Sequence, residues 1–269
     1  MITLLKLGGS LITEKDKPRH AREEVIRRLG LEIRDAIKSR PELQIILGHG
    51  SGSFGHIPAK KYRTREGVHT RSEWAGFAEV HHEASTLNQK VIDIFFDCGL
   101  PCLTITPLSA VEAKDGAVTS WNLSPVKTAL EKGMIPVVYG DTVFDTVRGG
   151  TILSTEDLFV HLAGEIKEQF RVLLAGLEEG LWEDFPQRTK LIRSFNVTGY
   201  PDSKVEFIQG SLYPDVTGGM REKVHLVSDL ICHEKIGSAL IFSGEISLNV
   251  KNALLGETPG TILVSGTNR

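Results

Sequence analysis

The first residues able to do chemistry stand at the end of an apolar run. Lys6 sits inside Ile2-Thr3-Leu4-Leu5-Lys6-Leu7, which closes on Gly8-Gly9-Ser10. A charge in such a run needs a counter-ion or a ligand phosphate. The paired glycines let the backbone turn sharply and aim N–H groups at an anion. A second turn, Gly48-His49-Gly50-Ser51-Gly52-Ser53-Phe54-Gly55-His56, follows the apolar run at 43–48. Its glycines allow close approach to a ligand where the next helix begins. His56 can donate a hydrogen bond to a phosphate oxygen, more strongly when protonated. The third segment is Asp215-Val216-Thr217-Gly218-Gly219-Met220-Arg221-Glu222-Lys223. It puts a glycine pair before a helix and Lys223 in the first turn, where a cation opposes the helix dipole unless an anion compensates it.

Read singly, each segment is also an ordinary turn beside a solvated lysine. Together, three glycine-rich turns with lysines at strand–helix junctions suit phosphoryl transfer, which needs positioning and positive charge around the moving group. The GxxxxGK[ST] spacing of a Walker loop is absent. No catalytic base stands out, and an already ionised phosphate acceptor would need none.

The elements that must position these residues alternate between strand and helix. Strands are predicted at 2–7, 43–48, 102–105, 136–139, 171–175, 238–242 and 261–264, with a further one at 190–194. Helices are predicted at 21–38, 73–97, from Ser124-Pro125 to before Gly133, from Ser154 to about 167, at 220–235 and at 247–255. Residues 143–153 read as a β-hairpin turning at Arg148-Gly149-Gly150, and Ser154 with Asp157 reads as a helix cap. Asp141, in Tyr139-Gly140-Asp141, is placed at a strand end near the site or in an ordinary turn. The alternation implies a three-layer α/β/α sandwich with an open, mostly parallel central sheet, its ligands at the carboxyl ends of the strands. A boundary near residue 169 divides that continuous sheet into lobes 1–169 and 170–269.

The composition is that of a globular protein: 269 residues, 41% hydrophobic and 24% charged, with a net charge of −3. No overall basic field favours nucleic acid or an anionic membrane. No apolar run approaches the ~20 residues of a bilayer span, and the start of the chain lacks a signal-peptide layout. Cys98, Cys102 and Cys232 form no CxxC pair. They read as buried small residues in a reducing, cytoplasmic setting, with no zinc site or disulfide framework expected.

The combination K-x-G-G-S at Lys6–Ser10, G-S-G-S-F-G-H at Gly50–His56 and T-G-G-M-x-x-K at Thr217–Lys223 resembles the amino acid kinase family across nearly the whole chain. Within it, the histidine-bearing loop and the pair Lys6 and Lys15 are most similar to the branch that phosphorylates isopentenyl phosphate. The resemblance implies ATP as phosphoryl donor, a small-molecule phosphate as acceptor, Mg2+ carried by the nucleotide, and a homodimer. It implies that Lys6 and Lys15 contact the transferring group. Gly8, Gly9, Ser10 and Gly52 would cradle ATP phosphates, with Gly219 and Lys223 holding ATP from the second lobe. Ser51, Gly55 and His56 would bind the acceptor phosphate, beside Thr155. Phe77 and Val80, on the helix at 73–97, would either line the acceptor's apolar tail or pack in the core. Two segments depart from the family pattern. Gly176-Leu177-Glu178-Glu179-Gly180 stands for T-D-V-D-G, and Ser154-Thr155-Glu156-Asp157 for S-G-D-D. A phosphonate kinase of the fosfomycin type and a non-catalytic nucleotide sensor remain open as alternatives.

Overall fold

The structure is a computed structural model. It describes residues 1–198, 219–233 and 235–266, with the backbone alone for 219–223. Strand β1 (Ile2–Leu7) leads through a single helical turn, α1 (Gly9–Ile12), to helix α2 (Glu23–Ser39). Then come β2 (Gln44–His49), α3 (Gly52–Tyr62) and the long α4 (Arg71–Asp97). The chain continues through β3 (Cys102–Thr104), α5 (Pro107–Ala110), β4 (Val111–Lys114), β5 (Ala117–Trp121), α6 (Ser124–Glu131) and β6 (Ile135–Tyr139). The hairpin β7 (Asp141–Asp145) and β8 (Gly149–Leu153) precedes α7 (Thr155–Glu165) and β9 (Phe170–Gly176). Short strands β10 (Leu181–Trp182), β11 (Leu191–Ile192) and β12 (Ser194–Asn196) are followed by α8 (Gly219–Cys232), β13 (Ile236–Ser243), α9 (Asn249–Leu255) and β14 (Thr261–Val264).

The main sheet has the order β12-β14-β13-β9-β1-β2-β6-β3. Every neighbouring pair in it is parallel except β13 with β14. Strict alternation along β1 decides which face each residue serves. Ile2 and Leu4 join a core that includes Leu158 and Phe159 of α7 and Val126 of α6. Leu5 and Leu7 join the opposite core, with Leu11 of α1, Ile26 and Leu29 of α2, Leu87 and Val91 of α4, and Val250 of α9. The expected three layers are present, and the same alternation turns Lys6 toward the α7 face.

Three features differ from the sequence expectation. A second sheet, β5-β4-β7-β8, flanks the first. Its β4–β5 hairpin turns at Asp115-Gly116, both with positive φ (51° and 82°), a D-G turn of the kind that suits the twist of paired strands. Helix α3 forms through Gly52, Gly55 and Pro58, residues that read as loop. Helix α6 is preceded by Leu123 as its cap residue, so Ser124 is already helical and its N–H is taken by Asn122 Oδ1 at 3.1 Å. The Ser154–Asp157 box does cap α7, with reciprocal bonds of 2.7 and 3.2 Å. Among the described residues no helix is long and apolar enough to cross a membrane.

Candidate active site

In the main sheet β1 has β2 on one side and β9 on the other. The chain fills one side through β2, β6 and β3, then crosses back to β9. A crevice opens at such a switch point, beyond the carboxyl ends of the strands. Lys6 lies near that end of β1 and is only 7% exposed. It forms an ion pair with Glu156, on the first turn of α7 and equally enclosed. A buried ammonium without such a partner would be expensive, so the pair fixes both charges at the crevice. The sequence reading names Glu156 only within the segment that stands for S-G-D-D and assigns it no role. The signal that could have found it is the even-numbered face of β1, which Lys6 shares with the α7 core residues.

The first two glycine turns meet backbone to backbone. A Cβ on Gly9 would lie 2.6 Å from Gly52 N and 2.8 Å from Gly52 Cα. Gly52 has φ +49°, and a Cβ there would lie 2.8 Å from Gly9 O. Only glycine permits this approach. The turns are tied to the sheet by Gly8 N–H donating to Ala175 O (2.8 Å) and Gly50 N–H to Leu7 O (3.2 Å). Among the described residues no acceptor takes up the N–H groups of Gly9, Ser51 or Gly52. Successive N–H groups left open in such a turn form an anion-binding concavity. Ser10, half-buried, continues it on α1.

Ser51 is the cap residue of α3 and His56 lies half-buried one turn into that helix. The structure therefore brings Ser51, Gly52 and His56 together at one helix start. Gly55 has a steric task there, since any Cβ would strike the Ser51 side chain. Lys15 lies exposed in the loop 14–20, which is closed by the Thr13–Ala21 bridge. That loop is held over α3 and α4 by Arg19, whose N–H donates to Ser53 O (3.4 Å) and whose guanidinium pairs with Glu83 at 3.0 Å.

Thr155 sits inside the wall of the crevice. It is 1% exposed, its hydroxyl donates to His49 O at 2.7 Å, and its methyl group occupies the space beside Gly48. Phe77 and Val80 are buried on α4. Phe77 bears on Gly150 of β8 and stacks obliquely with Trp74 (5.3 Å) and Phe144 (5.4 Å). Asp141 opens β7 and is fully enclosed, accepting from Thr142 N–H at 2.8 Å and lying 3.0 Å from His81 Nδ1. Burial pushes the Asp141 carboxyl up, and the bond to Asp141 raises His81. Leu177 follows β9 and is exposed at the same end of the sheet. Gly219 opens α8. Residues 215–218 and the Lys223 side chain lie outside the described residues.

Residues 1–242 match the model of the amino acid kinase family. The chain belongs to that family. The mostly parallel main sheet and its flanking helices are those of the amino acid kinase fold. Among curated relatives, the isopentenyl phosphate kinase of Methanocaldococcus jannaschii is 31% identical over 268 residues, covering 97% of this chain and 98% of its own length. The isopentenyl phosphate kinase of Methanothermobacter thermautotrophicus is 32% identical over 261 residues, covering 94% and 95%. A solved structure described as an X-ray structure of isopentenyl phosphate kinase superposes with a TM-score of 0.79 at 27% identity, covering 97% of this chain and all of that one.

Proposed function

We propose that this amino acid kinase transfers the γ-phosphoryl group of ATP to the phosphate of isopentenyl phosphate, giving ADP and isopentenyl diphosphate. The observation that carries the reading is His56 at the start of α3, beside the open N–H groups of Ser51 and Gly52. A phosphate acceptor needs donors, and this helix start supplies them with a dipole of the right sign. The relatives named above span nearly the whole chain.

An ionised oxygen of the acceptor attacks the γ-phosphorus in line. A new P–O bond forms, the bond to the β,γ-bridging oxygen breaks, and ADP leaves with that electron pair. Lys6, held by Glu156, and Lys15, on its loop, meet the charge that spreads over the transferring group. Gly8, Gly9, Ser10 and Gly52 hold the ATP phosphates through their main chain. Residues 1–169 form the acceptor lobe. Residues 170–269, with Gly219 and Lys223, form the nucleotide lobe. The two share one sheet through the β1–β9 pairing. Among the described residues no cluster of three or more His, Cys, Asp or Glu side chains could hold a metal. Mg2+ would be held largely by phosphate oxygens and water, where it neutralises developing charge. The acceptor's tail lies along the Phe77 and Val80 side of α4.

His56→Ala tests the reading. Losing one charge-assisted hydrogen bond, about 1.5–3 kcal/mol, should cut kcat/KM for isopentenyl phosphate by roughly 10- to 150-fold. The KM for ATP should stay near the wild-type value. An unchanged kcat/KM for the acceptor would remove His56 from the phosphate site.

A further inference from the structure

His49 closes β2 and immediately precedes the phosphate turn. Its side chain is wholly buried, stacked on Tyr139 with ring centroids 5.6 Å apart. Its carbonyl accepts from Gly140 N–H (3.2 Å) and from the Thr155 hydroxyl (2.7 Å). The ring reaches two polar groups. Nδ1 lies 3.2 Å from Gly50 O, and Nε2 lies 3.1 Å from Asn88 Oδ1. Asn88, itself 3% exposed on α4, puts Nδ2 2.9 Å from Thr104 Oγ1.

These contacts pose a question of proton count. Gly50 O can only accept, so Nδ1 must carry a proton. A neutral imidazole has just one N–H, so Nε2 must then accept, and an amide oxygen cannot satisfy it. Exchanging the two ends of the Asn88 amide resolves every contact. The NH2 group then donates to Nε2, and the amide oxygen accepts from the Thr104 hydroxyl. The alternative is an imidazolium donating at both nitrogens. Burial holds His49 below its ordinary pKa, and the ammonium of Lys6 adds to this by disfavouring a second cation.

The position of that single proton matters for the loop. In a trans peptide the carbonyl and the following N–H point in opposite directions. Drawing Gly50 O inward to the His49 ring turns the Ser51 N–H away from it, outward from the buried wall. We propose that His49 is a positioning residue for the phosphate turn. As a neutral ring protonated on Nδ1 and held by the Asn88 NH2, it fixes the Gly50–Ser51 peptide so that Ser51 N–H faces the acceptor phosphate. The proposal rests on the reading of this turn as the acceptor-phosphate site.

Two-bond 1H–15N NMR of the labelled protein, with His49 assigned by its loss in His49→Asn, reads the tautomer without turnover. A protonated Nδ1 and an unprotonated Nε2, unchanged between about pH 5 and pH 8, are expected. A proton on Nε2, or a titrating imidazolium, would overturn the proposal. The kinetic arm compares two amides. Glutamine places its NH2 near the former Nε2 and loses the bond to Gly50, whereas asparagine places it near the former Nδ1 and keeps that bond. His49→Gln should raise the KM for isopentenyl phosphate up to about tenfold, the worth of one hydrogen bond, with KM for ATP close to wild type. His49→Asn should bring KM back toward wild type. Equal effects of the two variants would refute the positioning role. If the wild type turned over no phosphate acceptor, the functional reading would fail while the NMR result still decided the tautomer.

Discussion

Lys6 is the residue whose surroundings argue most strongly for catalysis. An ammonium enclosed at a strand end and matched by Glu156 is held in place before any substrate arrives. Lys6→Met should lower kcat by about 10²- to 10³-fold, the usual cost of removing one pre-positioned electrostatic group. Steady-state kinetics would show whether kcat falls while ATP affinity changes little. A larger change in ATP affinity than in kcat would make Lys6 a ground-state binder. The glycine contact gives a separate prediction. Gly9→Ala forces a Cβ against Gly52 backbone. It should cost about 1–3 kcal/mol in urea unfolding and depress activity further by opening the cradle. Lys6 was legible because a charge inside an apolar strand stands out. Glu156 was not, because an acid in a helix's first turn already has an ordinary role against the dipole. Thr155 shows the limit of a motif: the sequence places it beside the acceptor, but whether its side chain faces inward depends on Gly48 leaving room for its methyl group.

At the scale of elements, α4 carries much of the positioning. Two turns of one face present His81 to Asp141 and Asn88 to His49, clamping the helix to the start of β7 and the carboxyl end of β2. The first clamp predicts a pH dependence. The bond to Asp141 raises His81 above its ordinary value, and burial raises Asp141, so the folded protein holds these protons more tightly than the unfolded chain. The stability from His81 is thus fully present below about pH 6.5 and lost as pH rises through the raised folded value. Tm should fall on going from about pH 6.5 toward alkaline pH, and His81→Gln should flatten that slope. An identical slope in the variant would assign the effect to another group. The long helix itself was readable from its periodicity, and the Thr70–Glu73 capping box sets its start at Arg71. Helix α3 was obscured because Gly52, Gly55 and Pro58 each weaken the helical signal, whereas here contact with α4 and with the first glycine turn overrides local preference. The strands β4 and β5 are short and went unread in the sequence, where Asp115-Gly116 is the signal that could have marked their turn.

Across the whole molecule, α2 is tied to the segment from Gly244 to Lys251, more than 200 residues further along the chain. Glu32 Oε2 accepts the Val250 N–H (3.1 Å) and Lys251 N–H (3.4 Å) at the start of α9, Arg28 donates to Gly244 O (2.6 Å), and Arg22 pairs with Glu245. Glu32 is buried, so Glu32→Ala should cost about 1–3 kcal/mol by leaving these N–H groups unsatisfied. Chemical denaturation would measure it, and a loss within error would show that water replaces the carboxylate. The layered architecture followed from alternating strand and helix patterns, which the hydrophobic cores on both faces require, whereas the strand order is set by tertiary pairing that the patterns do not encode. These long-range contacts were not legible, because residues more than 200 positions apart leave no periodic trace. The central claim is the acceptor, and one measurement addresses it directly: ATP-dependent turnover with isopentenyl phosphate, dimethylallyl phosphate, fosfomycin and acetylglutamate compared side by side. The account predicts the highest kcat/KM with isopentenyl phosphate. Preference for fosfomycin, or ATP binding without turnover of any acceptor, would contradict it.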